Sequence, residues 1–324
     1  MANRKAPSGA KYAQRPGRKK QRRSAQERRW SAEERRETKY FYVFVLPWIA
    51  GFILFMGGPI ILLSYYSFTQ YDIASAPVFV GGQNYEQLFE DELFWKAAGV
   101  TLYYTLLSVP VGLGLALMTA MLVNADIPGQ RIFRTIIYLP SVISGVALSL
   151  LWVWLLNPQI GIVNYLIYKV FGVEGPQWLL SETWVIPSLI LMSFWGIGNQ
   201  MVIYLAGLKG VPSNLYEAAK IDGASRFRQF WHITLPMISP VTLFLLITGM
   251  IGSFQVFTQA AVMTQGGPNY ASYFYVYYLY QQAFGAFNMG YASAMAWILL
   301  IAVVILTAIL LKFSDRWVYY EGGK

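Results

Sequence analysis

The sequence contains no cysteine and a single histidine, His232. A disulfide framework, a thiol nucleophile and a thiolate metal site are therefore excluded. So are multi-histidine metal sites and most histidine-based catalytic triads. No Gly-x-x-x-x-Gly-Lys-Ser/Thr phosphate loop occurs, so the chain has no ATP-hydrolysing site of that kind. Charge is scarce too. Asp, Glu, Lys and Arg make up 13% of the 324 residues, roughly half the share usual in soluble domains. Apolar residues take their place, at 56% hydrophobic and 17% aromatic. Those proportions describe an all-α polytopic membrane protein.

The charge that does occur is concentrated. Fourteen of the 25 lysines and arginines fall in residues 1–39, a stretch almost free of apolar residues before Trp30. Such an arm cannot bury a core and is expected to lack fixed structure. Its basic run, Arg15 to Arg29, reads as a positive-inside anchor beside anionic lipid. It has neither the interleaved aromatics nor the folded presentation of a nucleic-acid site. A cleaved secretory signal fits poorly, because the first apolar run starts near Tyr40 and is long enough to span.

Crossing ~30 Å of hydrocarbon at ~1.5 Å per residue takes about twenty mainly apolar residues. Six stretches qualify, near 41–66, 97–123, 132–156, 184–208, 237–257 and 290–311. Between the first two, Ser67 to Lys96 sets Asp72, Glu86, Glu90, Asp91 and Glu92 against Lys96 alone, which marks that side as outer. Arg131 and Arg134 sit at the connection between the second and third stretches. Lys209, Lys220, Arg226 and Arg228 lie between the fourth and fifth, and Lys312 and Arg316 follow the sixth. These sides, with both termini, are assigned to the cytoplasm. The expected organisation is a basic arm at 1–39, a transmembrane domain at 40–313 with a cytoplasmic loop at 209–236, and a tail at 314–324.

Two outer connections carry local signals. Asn157-Pro158-Gln159-Ile160-Gly161 reads as a turn, followed by a short interfacial helix, Ile162 to Phe171, that stops at Gly172. Met263 to Pro268 reads as a second turn. After it come Tyr270, Tyr273, Phe274, Tyr275, Tyr277, Tyr278 and Tyr280, expected to form an aromatic belt at the membrane interface. Sugar stacking is the alternative for that cluster.

The long cytoplasmic loop divides into helix, turn and helix. Pro212 with Ser213 or Asn214 offers a start, and an Asn214 cap puts Glu217 at the third helical position, where a carboxylate suits the positive helix end. Gly223 is the expected stop, since it accepts left-handed backbone without a side-chain clash. Ser225 can cap a second short helix, and Pro236 marks entry to the fifth span. Ala218 and Ala219 form a small-residue face that lets another surface approach. Glu217, Asp222, Arg226 and Arg228 surround it with charge. A solvated loop with an incidental helix is the competing reading.

Gly207-Leu208-Lys209-Gly210-Val211-Pro212, Leu215 to Ala224, and Trp231-His232-Ile233-Thr234-Leu235-Pro236 with Pro240 together resemble the cytoplasmic coupling loop of permeases from ATP-binding cassette (ABC) importers. Further matches resemble the carbohydrate-uptake group and the first of its two paired permeases. They are Arg131-Ile132-Phe133-Arg134 through Leu139-Pro140, Trp152-Val153-Trp154 with Asn157-Pro158 and Gly161, Met263 to Pro268, and Met289 to Ala294. The resemblance spans about Tyr40 to Phe313 and leaves out the basic arm.

The resemblance implies a type I ABC importer permease fold in the bacterial inner membrane, with about six transmembrane helices. It also implies partners: a second homologous permease, two ATP-binding cassette subunits that hold ATP and Mg, and a periplasmic solute-binding protein. This chain would bind no cofactor of its own. Glu217, Ala218, Ala219, Asp222, Gly223 and Ala224 would form the coupling helix seated on one ATPase.

For the solute path, polar residues inside spans are candidates, because they are costly in lipid and normally face protein or water. Gly196, Asn199 and Gln200 in the fourth span and Ser253 and Gln255 in the fifth fit this, and the resemblance puts Gly196, Asn199, Ser253 and Val256 at or near positions where similar permeases place sugar contacts. Interhelical hydrogen bonding is the competing role. No Lys or Arg lies deep in a span, which favours a neutral sugar, although an anionic oligosaccharide such as an alginate oligouronate could be held by helix N-termini or the partner permease. A self-sufficient secondary transporter or channel calls for an intramembrane carboxylate or an inverted repeat. The spans show neither.

Overall fold

The computed structural model describes residues 32–125 and 128–319, so the expected anchor Arg15–Arg29 lies outside the described residues. The chain divides into two compact units, one ending at Gly58 and the other starting at Pro59. In the first, α1 (Ala32–Phe52) is followed by a π turn, Ile53–Gly57. The helix starts at Ala32, so the last part of the arm, expected to lack structure through Lys39, is helical. Most apolar side chains of the helix and the turn are exposed, Phe44, Trp48 and Phe55 among them.

The second unit begins within α2 (Gly58–Tyr66) and continues into a small antiparallel pair, β1 (Thr69–Gln70) and β2 (Val78–Phe79), with Thr69 opposite Phe79. A short α3 (Gln83–Glu90) leads to the long α4 (Glu92–Asn124), and α5 (Gln130–Tyr138) comes after it. Next come α6 (Gly145–Leu155), α7 (Ile162–Phe171), α8 (Val185–Trp195) and α9 (Gly198–Lys209). The loop beyond holds α10 (Ser213–Ile221), α11 (Arg226–Gln229), a π turn over Phe230–Thr234 and α12 (Leu235–Met237). The chain closes with α13 (Ser239–Phe254), α14 (Tyr275–Tyr280) and α15 (Met289–Ser314).

By length and composition, three segments can cross a membrane alone: Arg36–Tyr66, α4 and α15. Three bent pairs bring the total to as many as six. The stretches expected at 132–156 and 184–208 are therefore not single rods. Gln130–Val142 and α6 meet at 100°, and α8 and α9 at 49°. The first break has local causes. Pro140 sits in a 3₁₀ turn, Ile143 is extended, and the Ser144 hydroxyl accepts from the Ala147 N–H at 3.4 Å to start α6 afresh. The third bend, 64° at Ile238, joins Arg226–Met237 to α13 and falls at the start of the fifth expected stretch.

Helix α4 is the hub. Its buried face, including Val109, Leu113, Ala116, Ala120 and Val123, packs with Met201, Tyr204 and Leu208 of α9 and Leu245 of α13. Ala116 and Ala120 are completely buried, and small residues at such contacts let helix backbones approach closely. Gly207 serves the same purpose between α9 and α13, where an added Cβ would lie 2.9 Å from Val241.

The aromatic cluster after Pro268 is not a membrane belt. Phe274, Tyr275, Tyr277 and Tyr278 are buried, and only Tyr270 and Tyr280 are well exposed. Phe274 meets Tyr104 edge-on at 5.2 Å, and Tyr275 meets Phe94 at 5.7 Å. These rings make a core between α14, α4 and α15. The expected outer turn and helix are present: the Asn157 side chain accepts from the Gln159 and Ile160 N–H groups, and α7 stops at Gly172 with φ +68°.

Candidate functional site

Two features stand out, a polar loop on one side and a cavity among α4, α9 and α13. In the loop, α10 ends as its sequence dictates. Gly223 adopts φ +73°, the Ala224 N–H donates to Ala219 O at 2.8 Å, and the Gly223 N–H donates to Lys220 O at 3.1 Å. This pair of bonds satisfies carbonyls that a helix end leaves free. Ser225 then caps α11 by accepting from the Arg228 N–H at 3.3 Å. Two further bonds fasten α10 and its turn to α11 and the π turn after it. The Tyr216 and Thr234 hydroxyls lie 2.9 Å apart, and Gln229 Nε2 donates to Ala224 O at 2.9 Å.

The start of α10 differs from expectation. Pro212 occupies the cap position and no side chain caps the helix, so Glu217 falls in the second turn. Glu217, Ala218, Asp222 and Gly223 are exposed, whereas Ala219 and Ala224 are half-buried at the helix end. The open surface is more apolar than the alanine face suggested, with Ile221 87% exposed, Phe227 74% and Trp231 50%. Sequence reasoning placed Ile221 and Trp231 within the coupling loop but gave none of these three a contact role. Their signal was large apolar residues in an otherwise polar loop.

The cavity measures about 540 Å³. Tyr104, Ser108 and Gly112 of α4 form one wall, Asn199 and Gln200 at the start of α9 another, and Thr248 and Ser253 of α13 a third, with Val256 and Gln259 at one end. Among the described residues, no charged side chain lines it. The Ser193, Thr248 and Ser253 hydroxyls donate to carbonyls of their own helices, leaving oxygen lone pairs as acceptors. Gln200 Oε1 is buried without a partner, an orphaned acceptor of the kind that costs about 1–3 kcal/mol.

Asn199, Gln200, Ser253 and Val256, four of the six expected pathway residues, line this one cavity. Gly196 and Gln255 do not. Gly196 ends α8 at the bend, and Gln255 ends α13 with its side chain exposed. The α4 wall went unread in the sequence, although Tyr104 and Ser108 stand one helical turn apart in an apolar span.

At the start of α4, Asp91 caps the helix by accepting from the Leu93 N–H at 2.8 Å. Its other oxygen accepts from the Tyr291 hydroxyl at 2.6 Å and from the Tyr278 hydroxyl. Burial works to raise the Asp91 pKa, but the bonds from Tyr278, Tyr291 and the Leu93 and Phe94 N–H groups outweigh it and hold the carboxyl below its usual range. Among the described residues, no His, Cys, Asp and Glu group could hold a metal ion.

Residues 108–319 match the family described as "Binding-protein-dependent transport system inner membrane component". The probable ABC transporter permease protein YesP of Bacillus subtilis (strain 168) is 41% identical over 285 residues, covering 87% of this chain and 92% of that protein. The sn-glycerol-3-phosphate transport system permease protein UgpA of Yersinia pestis bv. Antiqua (strain Antiqua) is 31% identical over 287 residues, covering 86% and 95%. A chain in the crystal structure of a bacterial ABC transporter involved in the import of the acidic polysaccharide alginate superposes with a TM-score of 0.78 at 25% identity, covering 88% of this chain and 98% of that one. The helical architecture and these matches agree: the chain belongs to the binding-protein-dependent transport system inner membrane components, as a type I ABC importer permease.

Proposed function

We propose that this permease imports sugars or oligosaccharides, forms half of the pathway beside a second homologous permease, and couples to an ATPase chain through α10 and the turn after it. The observation that carries the coupling role is the exposed surface of Ile221, Phe227 and Trp231, beside Glu217, Asp222, Arg226 and Arg228. Among the described residues none of those four charges is ion-paired, so each is free for a partner. Burying one large apolar side chain contributes about 1.5–3 kcal/mol, enough for such a patch to anchor a docking site. ATP and Mg²⁺ are held by the ATPase, and a periplasmic binding protein delivers the solute. In this reading both termini are cytoplasmic, as the basic arm favours.

The mechanism rests on connectivity. Tyr216 and Thr234 join α10 to the π turn that leads through α12 into α13, and α13 forms a wall of the cavity. A displacement of α10 by the closing ATPase pair is thereby passed to the residues around the solute. The cavity supports a polyhydroxy solute because its acceptors and carboxamides suit hydroxyl groups. One observation favours an anionic sugar as a second reading: the start of α9, where helix N–H groups lack intrahelical partners, opens on the cavity at Asn199 and Gln200.

The test is reconstitution of this chain with its permease, ATPase and binding-protein partners in liposomes, with neutral oligosaccharides and oligouronates supplied together. ATP-dependent accumulation of either class is expected, and which class accumulates separates the two readings. Accumulation by this chain alone, without an ATPase, sinks the proposal.

A further inference from the structure

Asp91 joins segments that lie far apart in sequence. One carboxylate oxygen holds the first turn of α4, and the other holds Tyr278 of α14 and Tyr291 of α15, 187 and 200 residues away. A carboxylate is an acceptor with no proton to give, so it can serve an N–H and two phenols at once, and such charge-assisted bonds are the strong ones. The same junction is pinned again nearby. The Tyr275 N–H, at the start of α14, donates to Thr101 Oγ1 of α4 at 2.9 Å, and the Tyr275 hydroxyl donates to Met295 O of α15 at 2.8 Å.

What the junction holds is the outer wall of the cavity. Phe274, immediately before α14, is completely buried with its ring against Tyr104, which lines the cavity. Tyr277 belongs to the same packed cluster as Tyr104 and Val256. The end of the cavity marked by Tyr104, Val256 and Gln259 is therefore backed by α14, and α14 is tied to α4 and α15 through Asp91.

We propose that Asp91 is a positioning residue for transport. It makes α4, α14 and α15 one body at the outer end of the cavity, so that this end opens by moving the three together and not by lifting α14 alone. The inference rests on reading the cavity as the solute path, but the geometry it predicts can be measured without any solute.

The absence of cysteine makes the measurement direct. Nitroxide labels at Glu92→Cys and Ala286→Cys, both exposed positions, report the separation between the start of α4 and the segment after α14. In the assembled transporter, one narrow separation is expected, unchanged between nucleotide-free and ATP-bound states. Adding Asp91→Asn is expected to bring in a second, longer separation and a loss of solute uptake while ATP hydrolysis continues. Asp91→Glu is expected to restore the narrow one. If Asp91→Asn does not assemble, Tyr278→Phe with Tyr291→Phe removes both phenol donors and leaves the α4 cap in place, with the same outcome expected. A separation that changes with nucleotide in the unmutated background, or that stays narrow when the phenol bonds are removed, overturns the proposal. Either result leaves the importer reading to its own uptake test.

Discussion

The Tyr216 hydroxyl lies 2.9 Å from the Thr234 hydroxyl, and this contact connects the exposed helix α10 to the buried start of the helical run that becomes α13. Thr234 is 6% exposed, so the bond forms where water competes little. Eighteen residues separate the pair, and between them the chain passes through the Gly223 turn and α11. The bond shortens the mechanical route from α10 to α13.

Removing that bond is expected to weaken coupling without unfolding the chain. Tyr216→Phe deletes one hydroxyl and keeps the ring, at a cost of about 0.5–1.5 kcal/mol. Solute-stimulated ATP hydrolysis by the assembled transporter should fall several-fold, while the amount of complex recovered stays the same. Full stimulation in both Tyr216→Phe and Thr234→Val would remove this contact from the coupling route.

The exposed apolar patch makes a separate prediction about assembly. Ile221→Ser and Phe227→Ser each remove apolar area that is open in this chain and buried in the proposed complex. Each should weaken ATPase association by about tenfold or more, from ~1.5–3 kcal/mol per side chain. Gel filtration of permease pairs with added ATPase reads the effect. Association as tight as in the unmutated chain would place the docking surface elsewhere.

The stops and turns were legible in the sequence because one residue decides each. Gly172 and Gly223 take left-handed backbone, and Asn157 bonds to the chain two and three residues on. The presence of α4 and α15 was legible from apolar length alone, although both extend past the expected stretches, α4 back to Glu92 and α15 on to Ser314. The break before α6 was not, since a proline inside an apolar run is equally compatible with an unbroken span. Nor was the burial of Phe274 to Tyr278. Their covering partners, Thr101 and Asp91, lie 174 and 187 residues away, and aromatic composition looks the same in a belt and in a core. The α4 wall of the cavity was hidden for a related reason. Tyr104 and Ser108 become distinctive only once α9 and α13 are placed against them.

Gly290 tests the packing around α15 from another direction. It lies in the first turn of α15 against the β1–β2 pair, where its N–H donates to Tyr71 O at 3.2 Å and an added Cβ would collide with the Thr69 carbonyl oxygen. Asn84 already holds that carbonyl in place at 2.9 Å, so the backbone cannot simply retreat. Gly290→Ala is expected to cost about 1–3 kcal/mol and to lower the melting temperature of the purified complex. An unchanged melting temperature would show that the hairpin moves freely against α15.

Asp91 ties the same region to pH. Burial raises its pKa, yet the bonds from Tyr278, Tyr291 and two backbone N–H groups leave it below the ordinary carboxylate range. A carboxyl held below its unfolded value binds fewer protons in the folded state, so the stability it contributes is complete above the unfolded value, near pH 4. That contribution is lost as pH falls through the lower folded value, when the carboxylate takes a proton and the bonds from the two phenols lose their charge assistance. At neutral pH, Asp91→Asn should therefore melt at a lower temperature than the unmutated chain. In increasingly acid solution the two melting curves should converge, because protonation makes the same change as the substitution. Thermal unfolding of the purified complex, tracked from pH 7 downward, reads both. A constant gap between the two curves across the acid range would mean that Asp91 does not hold the outer wall through its charge.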